Sequence, residues 1–222
     1  LRYDPFYTFD WYLDACEQSG HSAAFYFIAD HSGGEIDGNY DIFSPRILRL
    51  MRHIHDRGHE IGMHGSFNTF RSVDQIRYER ERLTLATQKA GIPIQILGNR
   101  QHYLRWDASA TPDALEEAGF AYDTSGGFAD RPGFRYGTAR TFPMWSWQKL
   151  APLKLLQKPL VMMECSIFYN QYLGLGYTQA AMDLMHKLRQ RSLSSGGDFN
   201  MLWHNSHFLT PRDKDFFWDI IQ

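Results

Sequence analysis

The chain carries very little cysteine and no long apolar run. Only Cys16 and Cys165 occur among its 222 residues. Each falls in a stretch that reads as regular structure, which favours reduced core thiols and a cytoplasmic setting over a disulfide scaffold. No apolar run approaches the roughly 20 residues that a membrane-crossing helix needs, and no secretory signal pattern is present. Basic blocks are also missing and the formal net charge is −2, so neither nucleic acid nor an anionic membrane is an expected partner. No Gly-x-Ser-x-Gly elbow occurs, which removes support for serine esterase chemistry. The glycine pairs Gly33-Gly34, Gly126-Gly127 and Gly196-Gly197 match no phosphate-loop template and read as turns. Without internal repeats or low-complexity linkers, and with 43% hydrophobic and 22% charged residues, residues 1–222 read as one globular domain.

What is present is an alternation of helical patterns with short β-rich runs. Pro5 to Ser19 reads as a helix with Asp4 as cap and Gly20 as stop. Ala23 to Ala29 is a continuous apolar run, the mark of a strand covered on both faces. Ser44-Pro45 opens a helix with Ile47, Leu48, Met51 and Ile54 on one stripe, ending near Gly58. Glu60 to Met63 is a short strand, and Ser72 to Gln75 is a capping box that starts a long helix ending before Gly91. Ile94 to Leu97, Leu160 to Ser166 and Phe199 to Trp203 read as strands. Helices are expected from Thr111-Pro112 to Gly119, from Thr178 to Leu193, and after Thr210-Pro211. Repeated βα units with buried strands predict an α/β fold with a parallel sheet. The alternation opens on a helix and the first residue is Leu1, not Met. A helix in that place normally returns from a strand, so an upstream strand is expected beyond the sequence given.

The segment Gly58-His-Glu-Ile-Gly-Met-His64-Gly-Ser-Phe-Asn68 concentrates the chemistry. It places His64 at the C-terminal end of a strand, where βα proteins gather their reacting groups. At about 3.3 Å per residue, His59 lies roughly 16 Å away, so the two histidines cannot share an ion. Asn68 follows His64 by four residues, a spacing that puts both side chains on one face if the segment turns helical.

This segment resembles the second motif of the polysaccharide deacetylase (NodB-like, carbohydrate esterase family 4-like) family, G-H-E-[IV]-x-x-H-[ST]-x-x-H. In that family the two histidines hold a divalent metal, usually zinc. His64 matches the first of them and Asn68 stands at the second. An amide oxygen is a weaker ligand than imidazole. Other pieces follow in order. Ala23 to Ala29 resembles the strand before this motif. Arg100-Gln-His102-Tyr103 resembles R-x-P-[YF], with His102 in place of proline. Gly119 to Ser125 resembles G-[FY]-x-Y-D-S-S, with Asp123 a candidate catalytic or supporting carboxylate. Met201-Leu-Trp203-His204 resembles the closing L-x-H motif. The R-Q-H-Y-L-R-W and L-W-H-N-S signatures are similar to those of deacetylase-like proteins encoded among bacterial surface-polysaccharide genes.

The resemblance implies a distorted (β/α) barrel of about seven parallel strands. It implies metal-dependent hydrolysis of an N-acetyl, or less readily O-acetyl, group on a sugar. A divalent ion, zinc first, on His64 and Asn68 would activate water and polarise the carbonyl. Arg100 would orient a carboxylate base, its forked charge suiting that role. His204 would assist the leaving amine, and His102, Tyr103 and Trp203 would line the substrate. These groups are expected to meet in one cleft.

One departure stands out. The family's aspartate pair, carried on a first strand, has no counterpart in the residues given: either the expected upstream strand carries it, or another carboxylate serves, with Asp30 and His31 the local substitutes. A catalytically inactive glycan- or partner-binding domain is therefore the second functional expectation. Of the other polar groups, His53 and His55 read as solvated or packed, and His207 as a loop residue. Glu164, inside an apolar strand, is either a satisfied core acid or part of the pocket. Trp106, Trp145, Trp147 and Trp203 fall near loops, mostly as core.

Overall fold

A computed structural model describes residues 4–222. In chain order its main elements begin with α1 (Phe9–Gln18), β1 (Ala24–Phe27), α2 (Pro45–Asp56), β2 (Glu60–Gly65) and α3 (Val73–Lys89). They continue with β3 (Gly98–Gln101), α4 (Thr111–Glu117), β4 (Tyr122–Asp123), β5 (Phe142–Ser146) and β6 (Ala151–Gln157). The last are β7 (Met162–Met163), α5 (Glu164–Phe168), α6 (Gln179–Ser194), β8 (Met201–Leu202) and α7 (Pro211–Ile221). The chain groups into two compact units. One comprises the segment ending at Ala23 with Gly127–Arg140 and Pro159–Gln222; the other comprises Ala24–Gly126 and Thr141–Lys158.

The second unit is built on a six-stranded sheet of order β1-β2-β3-β4-β6-β5. Strands β1 to β4 and β6 pair in parallel, and β5 returns antiparallel along β6. The register sets His64 of β2 directly beside Arg100 of β3. Its helices start and stop as local chemistry dictates. Pro45 occupies the first turn of α2, and Gly58 beyond its end has φ 79°, a left-handed conformation that only glycine adopts without cost. Ser72 caps α3 by accepting the N–H of Gln75. The reciprocal half of the expected capping box is replaced, because the Gln75 amide donates to Asp30 and Glu79 instead. Ile61, Met63, Ile76, Leu83, Leu115 and Leu155 form a buried apolar interior.

The first unit holds the separate parallel pair β7-β8. Its core gathers Cys16, Val161, Ile167, Met185, Phe208 and Phe217. Helix α7 carries a full capping box between Thr210 and Asp213, and both cysteines are buried and unbridged.

The α/β class stands, and seven strands among the described residues run parallel, five in one sheet and two in the other. Several boundaries move. Helix α1 begins at Phe9, because Asp4 accepts the N–H of Phe6 in a turn rather than capping a helix. The strand expected at Ile94–Leu97 lies at Gly98–Gln101, which puts Arg100 inside a strand rather than after one. The strand expected to Ser166 ends at Met163, and Glu164 opens a helix. The β5-β6 hairpin has no counterpart among the sequence-predicted elements.

Candidate active site

In the six-stranded unit, the ends of β2 and β3 bring three groups together. The Nδ1 of His64 lies 2.7 Å from the carbonyl oxygen of Arg100. A carbonyl only accepts, so Nδ1 carries the hydrogen. His102 follows β3 directly, and its ring centre is 5.0 Å from that of His64 at 61°. Its Nδ1 meets Asp37 Oδ1 at 2.7 Å. Asp37 has no exposed side-chain surface, and it also accepts the N–H groups of Phe67 at 2.8 Å and Gly33 at 2.6 Å. Gly33 is required there: a Cβ would stand 2.6 Å from that of Phe67. Tyr103 and Leu104 follow with φ of 57° and 52°, two successive non-glycine residues in a conformation that costs energy and marks functional turns. Tyr103 is 61% exposed, edge-on to Phe67 and His102.

Asn68 does not fit its expected role as a metal ligand. Its Oδ1, the atom a cation would need, accepts the Nη1 of Arg105 at 3.0 Å. Arg105 is itself held by the carbonyl of Phe67 and lies over the rings of Phe67 and Phe70. A metal at Oδ1 would sit against a fixed positive charge. The Asn68 amide nitrogen donates to the carbonyl of Ser32, so this residue closes a loop instead.

Arg100 and Asp123 also differ from expectation. The Arg100 guanidinium bonds Thr124 through Nε at 2.9 Å and lies 4.8 Å from the Tyr26 ring centre. Among the described residues no carboxylate pairs with it. Asp123 has no exposed surface. It accepts from Asn99, the Ser125 hydroxyl and the Ser125 N–H, which ties β3 to β4 and leaves it out of reach of a substrate. Burial pushes its carboxyl above the usual range. Asp30 is held by Gln75, and the His31 ring by the carbonyl of Tyr40.

The β7-β8 unit holds a second constellation. Glu164, with no exposed surface, accepts the N–H of His204 at 3.1 Å and its Nδ1 at 2.5 Å. The His207 Nδ1 lies 2.7 Å from the same Oε1, and its Nε2 meets the Tyr169 hydroxyl at 2.5 Å. Burial works to raise the Glu164 pKa, but the hydrogen bonds and charges of the two histidines prevail and hold it at about 2. Glu164, His204 and His207 offer three donor atoms within 4.8 Å of one another, the sole group of three such residues among those described. A divalent ion accepts that donor set. Around a tetrahedral ion, however, ligand atoms stand about 3.4 Å apart, and the Nδ1 atoms of His204 and His207 lie closer than that to Oε1, at 2.5 and 2.7 Å. Glu164 thus faces two imidazoles through Oε1, while its buried Oε2 and the Nδ1 of His207 lack a hydrogen-bond partner among the described residues; His207 lies in the loop after β8, as expected, and is also a member of the cluster. The signal was available in His-x-x-His after the last strand. Trp203 is a correction: it is 5% exposed, packed against Phe168, Phe208 and Phe217, and cannot stack on a sugar.

No protein-family model and no curated protein matches the sequence. The solved structures do match. One, assigned provisionally as a polysaccharide deacetylase from Mycobacterium smegmatis, superposes over 98% of this chain and 70% of its own, with TM-score 0.67 and 18% identity. The chain has the polysaccharide deacetylase fold. The Puue allantoinase shares this polysaccharide deacetylase-like arrangement over 79% of the chain and 56% of its own, with TM-score 0.52 and 16% identity. At these identities the likeness concerns the fold, and the chemistry must come from the side chains.

Proposed function

We propose that this protein is a metal-dependent deacetylase acting on an N-acetylated sugar of a bacterial surface glycan, working in the cytoplasm. The observation that carries the reading is the Glu164–His204 pair, on a fold shared with a polysaccharide deacetylase structure. The buried carboxylate takes the Nδ1–H of an imidazole that is 46% exposed. This fixes the ring and steadies its protonated form, as a proton donor to a leaving amine requires. His64 is the protein ligand best prepared for a divalent cation, zinc first, because its Nδ1–H is held by a carbonyl, the contact that orients a metal-binding imidazole. When bound, such a cation supplies the Lewis acidity that polarises an acetyl carbonyl and makes water more acidic. Arg100, paired with His64 in the ladder, is the fixed positive charge of that strand end, and Tyr103 is the exposed ring for a sugar face.

The test is acetate release from N-acetylated amino-sugar oligomers with added Zn2+. His204→Ala and His64→Ala should each lower kcat/KM by about 10²-fold or more. Release unchanged in both variants would overturn the reading. Glycan binding without release by the parent protein would favour the second one, an inactive binding domain. The guanidinium seated on Asn68 is the observation on that side.

A further inference from the structure

We propose that His102, not Asn68, is the second protein ligand of the divalent ion held by His64; this rests on the metal-dependent reading above. The position expected to supply the second ligand is spent, since Asn68 Oδ1 accepts from Arg105 and its amide nitrogen donates to Ser32. The site nevertheless contains a second imidazole. Two imidazoles bonded through nitrogen to one tetrahedral ion, at about 2.0–2.1 Å, have ring centres roughly 5 Å apart. The rings of His64 and His102 are 5.0 Å apart and inclined at 61° rather than stacked.

Both rings are prepared in the same way. A metal-binding histidine typically donates its other N–H to a carbonyl or carboxylate, which fixes the tautomer and raises the basicity of the ligating nitrogen. His64 does this to the carbonyl of Arg100 and His102 to the carboxylate of Asp37, each at 2.7 Å. Asp37 is a rigid anchor, fully buried and bonded to two backbone N–H groups besides. The backbone adds a further sign of design. His102 enters a turn whose next two residues both take positive φ, a cost that a merely space-filling histidine would not require. The His102 side chain is still 17% exposed, so a hydrated ion can reach it. The Glu164–His204–His207 group is the competing location, with three donors but Nδ1–Oε1 distances of 2.5 and 2.7 Å, closer than a shared tetrahedral ion sets.

The experiment is titration of the metal-free full chain with Co2+ and Zn2+, followed by calorimetry and by the visible absorption of bound Co2+. His102→Ala should weaken binding at least tenfold and change the Co2+ spectrum, while Asn68→Ala leaves affinity within about threefold. His102→Gln can still donate to Asp37, so loss of affinity in this folded variant separates ligation from damage to the loop. Asp37→Asn, which removes only the supporting charge, should weaken binding about tenfold. Loss on Asn68→Ala with both His102 variants normal would overturn the assignment and leave the metal-dependent reading intact. So would loss confined to Glu164→Gln, which would place the ion at the other cluster. A parent protein that releases acetate yet binds neither ion would overturn both.

Discussion

Glu79 and Glu164 are buried carboxylates without exposed surface, one in each unit, and their surroundings drive them in opposite directions. Glu79, on α3, is surrounded by neutral donors: the N–H and hydroxyl of Ser66 and the amide of Gln75. Burial prevails there and pushes its pKa up to about 7. Glu164 faces two imidazoles, and their hydrogen bonds and charge hold it at about 2 in spite of the same burial. Burial alone therefore does not tell what a buried acid is for; the charge of its partners does. A carboxylate kept ionised by histidines is equipped to steady a protonated imidazole. One solvated only by hydroxyl and amide groups is equipped to share a proton within a loop network, here joining Ser66, Ser32 and Asn68.

The largest effect should separate two tryptophans, one from each unit. Trp203→Ala removes a ring from the aromatic core around Phe208 and Phe217 and should destabilise the protein by about 3–5 kcal/mol in urea unfolding. Trp147, 61% exposed near the β5-β6 turn, should cost less than about 0.5 kcal/mol on the same change. Equal costs would mean that Trp203 is not the core residue described above.

The two acids give an effect of intermediate size and opposite sign. Glu79 binds its proton more tightly folded than unfolded, so stability falls as pH rises from about 4.5 towards 7. Glu79→Gln, which resembles the protonated form, should flatten that slope and recover roughly 3 kcal/mol at neutral pH. Glu164 is depressed, so the stability it contributes is present above about 4.5 and lost as pH falls towards 2. Glu164→Gln should remove that acid-side loss. Unfolding midpoints across pH 2–8 for both variants check the pair, and matching slopes would break the comparison.

The smallest effect concerns helix starts. Thr210 has a complete capping box with Asp213, whereas Ser72 only accepts the Gln75 N–H. Thr210→Ala should cost about 1–2 kcal/mol and Ser72→Ala nearer 0.5, by the same unfolding measurement.

Much of the helical framework was legible because its signals are local. Pro45, Thr111-Pro112 and Pro211 start helices within one residue of the predicted places, since proline fits the first turn, and Gly58, Gly91 and Gly119 follow the ends of α2, α3 and α4 with positive φ. Strands were less legible. The apolar residues Ile94–Leu97 lead into β3, but the paired residues are the polar Gly98–Gln101, buried among neighbouring strands that satisfy them. The alternation in Ala151–Gln157, which buries Leu153, Leu155 and Gln157, is a strand signal with a period of two that the sequence itself carries. Leu160–Ser166 is apolar enough for a strand, yet only Met162 and Met163 find partners on β8 before the chain coils at Glu164.

The sequence by itself determined which residues carry chemistry and roughly where. Histidines at strand ends and a lone acid in an apolar run are visible one residue at a time, because strand period and turn residues are properties of neighbours in the chain. Which groups serve one another was decided by the tertiary structure. Asp37 and His102 are 65 residues apart, and Glu164 and His204 are 40 apart. Arg105 meets Asn68 across 37 residues. No local pattern encodes such pairs, since each depends on which strand ends the sheet register sets side by side. The charge state of a buried acid follows from those partners and from nothing in its own segment.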